Sequence, residues 1–257
     1  MGRLDGKVAI ITGAGSGMGR VAAVMFAKEG AKIVVADINK EAGEETVKMV
    51  KDAGGVAMFV YTDLRKAASV QNLVQETVKT YGKLDVLYNN AALGEPAAAD
   101  TTTLTEENWD LILSVDLKGA WLAMKYSIPE MLKAGGGSII STTSQAATRG
   151  NAGLPSYTAA KGGLLSLSKC TAVEFADKGI RVNCISPGYV KTPMLMGFLE
   201  AMPAIEKKII DGTPQRRIAE PEEIASVALF LASDESSHIT ATEIPVDGGI
   251  VNWSNTM

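Results

Sequence analysis

The sequence is poor in the residues on which much catalytic and structural metal chemistry depends. One histidine, His238, and two cysteines, Cys170 and Cys184, among 257 residues leave no His/Cys cluster for zinc or a metal-activated water. The two cysteines form no CxxC and no disulfide framework, which fits a reducing compartment. A Ser-His-Asp triad would have to use His238, and no GxSxG elbow accompanies it. Lysine and arginine, 25 together, are outnumbered by 29 aspartates and glutamates, so the basic surface that attracts nucleic acid or an anionic membrane is missing. No apolar run approaches the ~20 residues needed to span a bilayer. The charged segment from Gly2 to Lys7 leads straight into a strand and has no signal-peptide core. These absences predict a cytoplasmic protein with no metal, nucleic-acid or membrane partner.

What is present is ordinary for a globular chain: 46% hydrophobic residues, 21% charged and 26 glycines, which excludes disorder. Short β-branched runs alternate with longer amphipathic stretches from end to end. Strands are predicted at 8–11, 33–36, 56–61, 85–88, 138–141, 180–185 and 243–246. Helices are predicted at 21–28, 41–51, 70–80, 104–132, 157–176 and 222–232. Thr103 and Glu106 have capping-box spacing before the long fourth helix, Pro129 should kink it, and Pro221 suits the first turn of the last one. Strands of four to six residues without polar alternation belong to a parallel sheet covered on both faces. The alternation therefore predicts an α/β fold, a doubly wound parallel sheet with helices on both faces, as a single domain over 1–257. The least regular stretch, 186–214, should be mobile and lie beside the site.

The first strand-to-helix turn reads Thr12-Gly13-Ala14-Gly15-Ser16-Gly17-Met18-Gly19. It departs from strict G-x-G-x-x-G, but the physics is shared. Glycines allow a tight turn and close backbone approach, and the helix N-terminus offers unpaired N–H groups to a pyrophosphate. Asp37 ends the second strand, 18 residues after Gly19. A carboxylate there accepts both hydroxyl hydrogens of an adenosine ribose and repels a 2′-phosphate; the competing role is a cap for the helix that follows. No basic residue stands at Ser16 or Ile38 to neutralise a phosphate, so NAD is favoured over NADP.

Tyr157 and Lys161, four apart at the start of a helix, face the same way. Together with the glycine turn, Asp37 and the α/β alternation, the pair makes the sequence resemble the short-chain dehydrogenase/reductase family along essentially its whole length. More motifs carry the resemblance. Asp63-Leu64 is similar to the family's adenine-contacting pair, and Asn89-Asn90-Ala91-Ala92 to its Asn-Asn-Ala-Gly motif, which implies Asn90 near the adenosine side of the cofactor. Ser144 lies 13 residues before Tyr157, the spacing of the family's catalytic serine, with Thr143 and Ser141 as rivals. Pro187-Gly188, Val190 and Thr192 are similar to the segment that binds the nicotinamide carboxamide. The resemblance implies a Rossmann fold whose cofactor contacts include Gly13, Ser16, Gly17, Met18 and Gly19.

It also implies the chemistry. Hydride passes between nicotinamide and a carbinol carbon while Tyr157 exchanges the proton. Lys161 assists it and hydrogen-bonds the nicotinamide ribose, and Ser144 stabilises charge on the substrate oxygen. A phenol ordinarily titrates near 10. An ammonium about 5 Å away, at an effective dielectric of ~20, supplies roughly 3 kcal/mol toward the phenolate. Two departures from the family pattern stand out. Asp116 occupies the place of an asparagine that supports a proton relay, and an ionised Asp116 would oppose the phenolate unless it is neutral, paired or distant; its tolerance is attributed to the backbone performing the relay. Ala92 replaces a glycine and would cost about 1 kcal/mol if that position needed positive φ.

Met194, Leu195, Met196, Phe198, Leu199 and Met202 crowd the segment after Thr192, which in the family is a lid, here over 192–214. Adaptable thioethers suit an apolar ligand, although the same residues could simply pack on their own domain. With few cations near the pocket, the predicted substrate is a neutral secondary alcohol or ketone. Trp109, Ile112, Leu113, Leu117, Trp121 and Met124 give the long helix a broad apolar surface, and family resemblance implies a homotetramer; core packing is the competing reading, and Val251, Trp253 and the remaining tail could reach a neighbouring subunit. Two other functions compete: an NADPH-dependent 3-oxoacyl reductase, and an inactive NAD-binding sensor or scaffold.

Overall fold

The structure, a computed structural model, describes residues 2–94 and 99–253. The tail beyond Trp253 lies outside them. Seven strands form one parallel sheet: β1 Val8–Thr12, β2 Lys32–Asp37, β3 Val56–Tyr61, β4 Val86–Asn89, β5 Gly137–Thr142, β6 Ile180–Pro187 and β7 Glu243–Val246, in the order β3-β2-β1-β4-β5-β6-β7. The helices are α1 Gly17–Lys28, α2 Lys40–Asp52, α3 Ala67–Tyr81, α4 Glu106–Leu113, α5 Ala120–Lys133, α6 Pro155–Phe175, α7 Pro193–Ala201, α8 Ala204–Asp211 and α9 Pro221–Ala232.

Successive residues of a strand point to opposite faces, and the central strands are apolar on both. Ala9, Ile11, Ile33 and Val35 join Phe26 of α1 and Ile224, Ala228 and Leu231 of α9 in one core. Their neighbours Ile10, Val34 and Ala36 join Leu73 of α3, Met124 of α5 and Leu164 of α6 in the other. Burial on two faces explains the continuous hydrophobic runs. β1 pairs with both β2 and β4, so the chain reverses its direction of winding there. The crevice beyond the carboxyl ends of β1 and β4 is where such sheets bind ligands.

Three expectations about local structure need correction. The long fourth helix runs without a gap from Glu106 to Lys133 but is not α-helical throughout: a π-helical turn, Ser114–Gly119, joins α4 to α5, and Pro129 lies inside α5. A π turn carries one extra residue, which rotates the side chains that follow, and such turns are frequent at functional sites. The cap of α4 is Thr105, whose hydroxyl accepts from Asn108 N–H, while Thr103 is held in a turn by Asp100. Finally, 186–214 is not irregular: β6 runs to Pro187, and α7 and α8 occupy most of the remainder. Thr192 caps α7 at Leu195 N–H and Pro193 starts it, a pairing that favours a helix start.

Candidate active site

A cleft of about 1110 Å³ opens beyond the carboxyl ends of the strands. Its first wall is the glycine turn between β1 and α1. Gly13 and Gly17 have φ of 63° and 52°, backbone that residues with a Cβ rarely adopt. Ser16 precedes α1 in extended conformation and makes no capping hydrogen bond, so the first-turn N–H groups of α1 have no side-chain partner and are open to an anion. Gly13, Ser16, Gly17 and Met18 line the cleft. Gly19 does not: a Cβ there would stand 2.3 Å from Gly13 O and 2.6 Å from Asn90 Nδ2, so this glycine lets α1 pack against the turn. Gly19→Ala is expected to lower stability by about 1–3 kcal/mol through overpacking, read as a fall in Tm; an unchanged Tm would show that the turn can shift.

Asp37, at the end of β2, lines the same wall. Its carboxylate accepts from Gly15 N–H at 2.8 Å and from Asn39 N–H at 2.9 Å, which ties the strand end to the glycine turn. An ionised carboxylate has about four acceptor sites, so two remain for ribose hydroxyls. The helix cap is Asn39, whose side chain accepts from Ala42 N–H. Asp63 and Leu64 also line the cleft. The Arg65 guanidinium grips Asp63 at 2.8 and 2.9 Å and holds its carboxyl down at about 2. The stability this pair adds is therefore present through the neutral range and is lost progressively as the pH falls from about 3.8, where the unfolded carboxylate takes up its proton, through about 2. Asn90 clamps the turn from β4: its N–H donates to Thr12 Oγ1, and its amide nitrogen to the carbonyls of Thr12 and Gly13. Its Oδ1 is buried and has no hydrogen-bond partner among the described residues.

Ser144, Tyr157 and Lys161 all line this cleft, Ser144 following β5, which lies across β1 and β4 from the strand that carries Asp37. The three rival hydroxyls differ in what each already bonds. Ser141 is fully buried and pairs with Ser168, and the Thr143 hydroxyl donates to Ile185 O at 3.0 Å. Ser144 Oγ accepts from Ala146 N–H and donates to no described residue. Tyr157 and Lys161 stand one turn apart on α6, with Nζ 5.5 Å from the phenol ring centre. Lys161 is buried, donates to Thr142 O at 3.1 Å and lies 3.4 Å from Asp116 Oδ2. Tyr88 is no rival to Tyr157, because it is sealed in the core and burial pushes it up to about 12.

Asp116 sits behind the cleft rather than on it. From the π turn its carboxylate reaches Lys161 and also accepts from Leu93 N–H at 2.8 Å. Of the conditions set for an aspartate here, pairing is the one realised, and it is the side chain that makes the contact. Ala92 carries no strain: Arg216 and Ala241 are the described non-glycine residues with positive φ. Pro187, Val190 and Thr192 line the cleft as expected, and so do Met194, Leu195, Phe198 and Met202. Leu199 instead packs with Ile209 and Ile218 in a small core of its own, so the apolar residues after Thr192 divide between the cleft wall and packing within their own segment. The spacing rules did not single out Gln145 or Asn151, which also line the cleft; neither falls in a motif.

A family model described as enoyl-(acyl carrier protein) reductase matches residues 13–251. Among curated proteins, the chain is 39% identical to a cyclohexanol dehydrogenase from Acinetobacter sp. over 96% of its own length and 95% of the relative. It is 38% identical to a 3-oxoacyl-[acyl-carrier-protein] reductase from Thermotoga maritima over 97% and 99%. Among solved structures, levodione reductase superposes with a TM-score of 0.93 at 33% identity, covering 98% of this chain and all of the other. No described helix is long and apolar enough to cross a membrane.

Proposed function

The chain belongs to the short-chain dehydrogenase/reductase family of oxidoreductases, and on that premise we propose that it is an NAD-dependent enzyme interconverting a neutral secondary alcohol and its ketone. The observation that carries the reading is the cleft itself, which holds Asp37 and the open N-terminus of α1 in one half and Ser144, Tyr157 and Lys161 in the other. The residues present fit the cofactor: unpaired N–H groups for a pyrophosphate, a carboxylate with spare acceptor sites for a ribose, and the buried orphan Asn90 Oδ1 beside them. When bound, the nicotinamide supplies the hydride acceptor or donor.

The chain's own groups handle the proton and the substrate. Ser144 donates a hydrogen bond to the substrate oxygen, and Tyr157 exchanges the proton with that oxygen. Lys161 favours the phenolate and is itself held by Thr142 O and Asp116. Leu195, Phe198 and Met202 on α7 and the residue after it give the substrate half an apolar wall, with α7 and α8 as the lid. The two cations on the cleft, Arg65 and Lys161, are each paired with a carboxylate, which favours an uncharged substrate. Half-exposed Trp109 and Trp121 on the α4–α5 arm support a homotetramer, and the free cysteines Cys170 and Cys184 suit the cytoplasm.

The reading is tested by steady-state oxidation of cyclohexanol with NAD and with NADP. Wild type should prefer NAD by at least about tenfold, because a like-charge contact between Asp37 and a 2′-phosphate costs several kcal/mol; Asp37→Ser should erase most of that preference. A wild-type preference for NADP, with reduction of an acyl-carrier β-ketone, would favour the 3-oxoacyl reductase reading that the Thermotoga relative supports. Tight NAD binding without single-turnover hydride transfer would favour the sensor reading.

A further inference from the structure

Gln145 follows Ser144 in the short 3₁₀ turn Gln145–Ala147 at the end of β5, is only 4% exposed and lines the cleft. Its main chain is committed: the carbonyl accepts from the N–H groups of Thr148 and Arg149. Its side-chain amide hydrogen-bonds no described residue. Neither amide atom belongs to the sealed, partnerless polar atoms of the described residues, so what the amide meets is the cleft. A glutamine on the cleft with no partner among the described residues has up to four hydrogen bonds to give to whatever fills the cleft, and a ligand that displaces water there must replace them. Leaving such a group unsatisfied is costly, which is how a site comes to prefer a ligand that pairs with it.

The chemistry of the missing partner is narrow. An amide offers a donor and an acceptor and no charge, so it matches a hydroxyl or a carbonyl rather than a carboxylate. Among the described residues no unpaired cation lines the cleft to serve a carboxylate, since Arg65 and Lys161 are each matched by an aspartate. The substrate oxygen that reacts belongs to Ser144 and Tyr157, and Gln145 is the next residue in the chain after Ser144. We propose that Gln145 is a specificity-determining residue that hydrogen-bonds a second, uncharged oxygen of the substrate. The preferred substrates are then diols, hydroxyketones or diones on an apolar ring or chain rather than simple alcohols. This rests on the reading of Tyr157 as the proton-exchanging group.

The test compares kcat/KM for cyclohexanol with that for 1,2- and 1,4-cyclohexanediols and the corresponding hydroxyketones, in wild type, Gln145→Met and Gln145→Glu. One good hydrogen bond to an otherwise unpaired group is worth about tenfold to a hundredfold in discrimination. Wild type should favour a dioxygenated substrate by that factor, and Gln145→Met should bring the ratio close to one. Gln145→Glu keeps the acceptors and loses both donors, so it should retain the preference for a diol and lose that for a hydroxyketone. Ratios equal in all three proteins overturn the assignment. If wild type turns over none of these compounds, the catalytic reading is the one that fails. Gln145 is then judged by the rise in Tm that each compound produces with NAD present: a diol advantage over cyclohexanol that Gln145→Met removes supports the proposal, and one it leaves intact overturns it.

Discussion

Tyr157→Phe is expected to lower turnover by about 10³- to 10⁴-fold, the range that a positioned acid/base group contributes, while leaving the fold and cofactor binding intact. The substitution removes one oxygen from the cleft and keeps the ring against Lys161. Nothing nearby can take over. Tyr88 is sealed and its hydroxyl already accepts from Thr142 Oγ1, and the Thr143 hydroxyl is committed to Ile185 O. Ser144 remains, but a serine hydroxyl is too weak an acid to lose its proton near neutral pH and so cannot stand in as the base. The measurement is single-turnover formation of NADH, with Tm and cofactor affinity as controls. Activity within tenfold of the parent would show that the proton leaves by another route and that Tyr157 is a wall residue.

Lys161→Met is expected to cost both stability and activity, and the two losses separate. Lys161 and Asp116 are almost fully buried and 3.4 Å apart. Removing one member of a buried pair typically costs about 3–5 kcal/mol, because the other charge is left in a poor solvent. Tm should therefore fall by several degrees or more, together with near-complete loss of turnover. Lys161→Met combined with Asp116→Asn removes the stranded charge while nearly conserving volume, so Tm should recover much of the loss and turnover should not. If the single variant fails to fold, the double variant carries the test alone. A single variant as stable as the parent would mean that the pair contributes little. A double variant that turns over normally would remove Lys161 from the chemistry.

The same pair marks a limit of what the amino-acid order reveals. Asp116 is legible as a departure at a known position, and the need for it to be paired, neutral or distant follows from electrostatics. Its pairing with Lys161 depends on a π turn where the periodicity reads as one unbroken helix, and on α6 packing beside it. A single extra residue per turn leaves almost no trace in a hydrophobic pattern. The glycine turn was legible in kind but not in detail: Gly13 and Gly17 shape the cleft, while Gly19 serves the contact between α1 and the β1 turn. Gln145 was invisible, because an amide with no motif around it has meaning only once its surroundings show that nothing else satisfies it.

The order of residues determined the alternation of strands and helices, the parallel sheet, the turn after β1, the carboxylate at the end of β2 and the one-turn spacing of Tyr157 and Lys161. All of these are set by neighbours a few positions apart, through pleat, helical pitch and backbone sterics. Only the folded chain decided that Ser141 and Thr143 bond Ser168 and Ile185 while Ser144 donates to no described residue, that Asp116 pairs with Lys161, and that Gln145 lies on the cleft with no side-chain partner among the described residues. Those outcomes hang on contacts between segments brought together by sheet register and layer packing. Burial then makes each hydrogen bond, or its absence, count for more than it would in water.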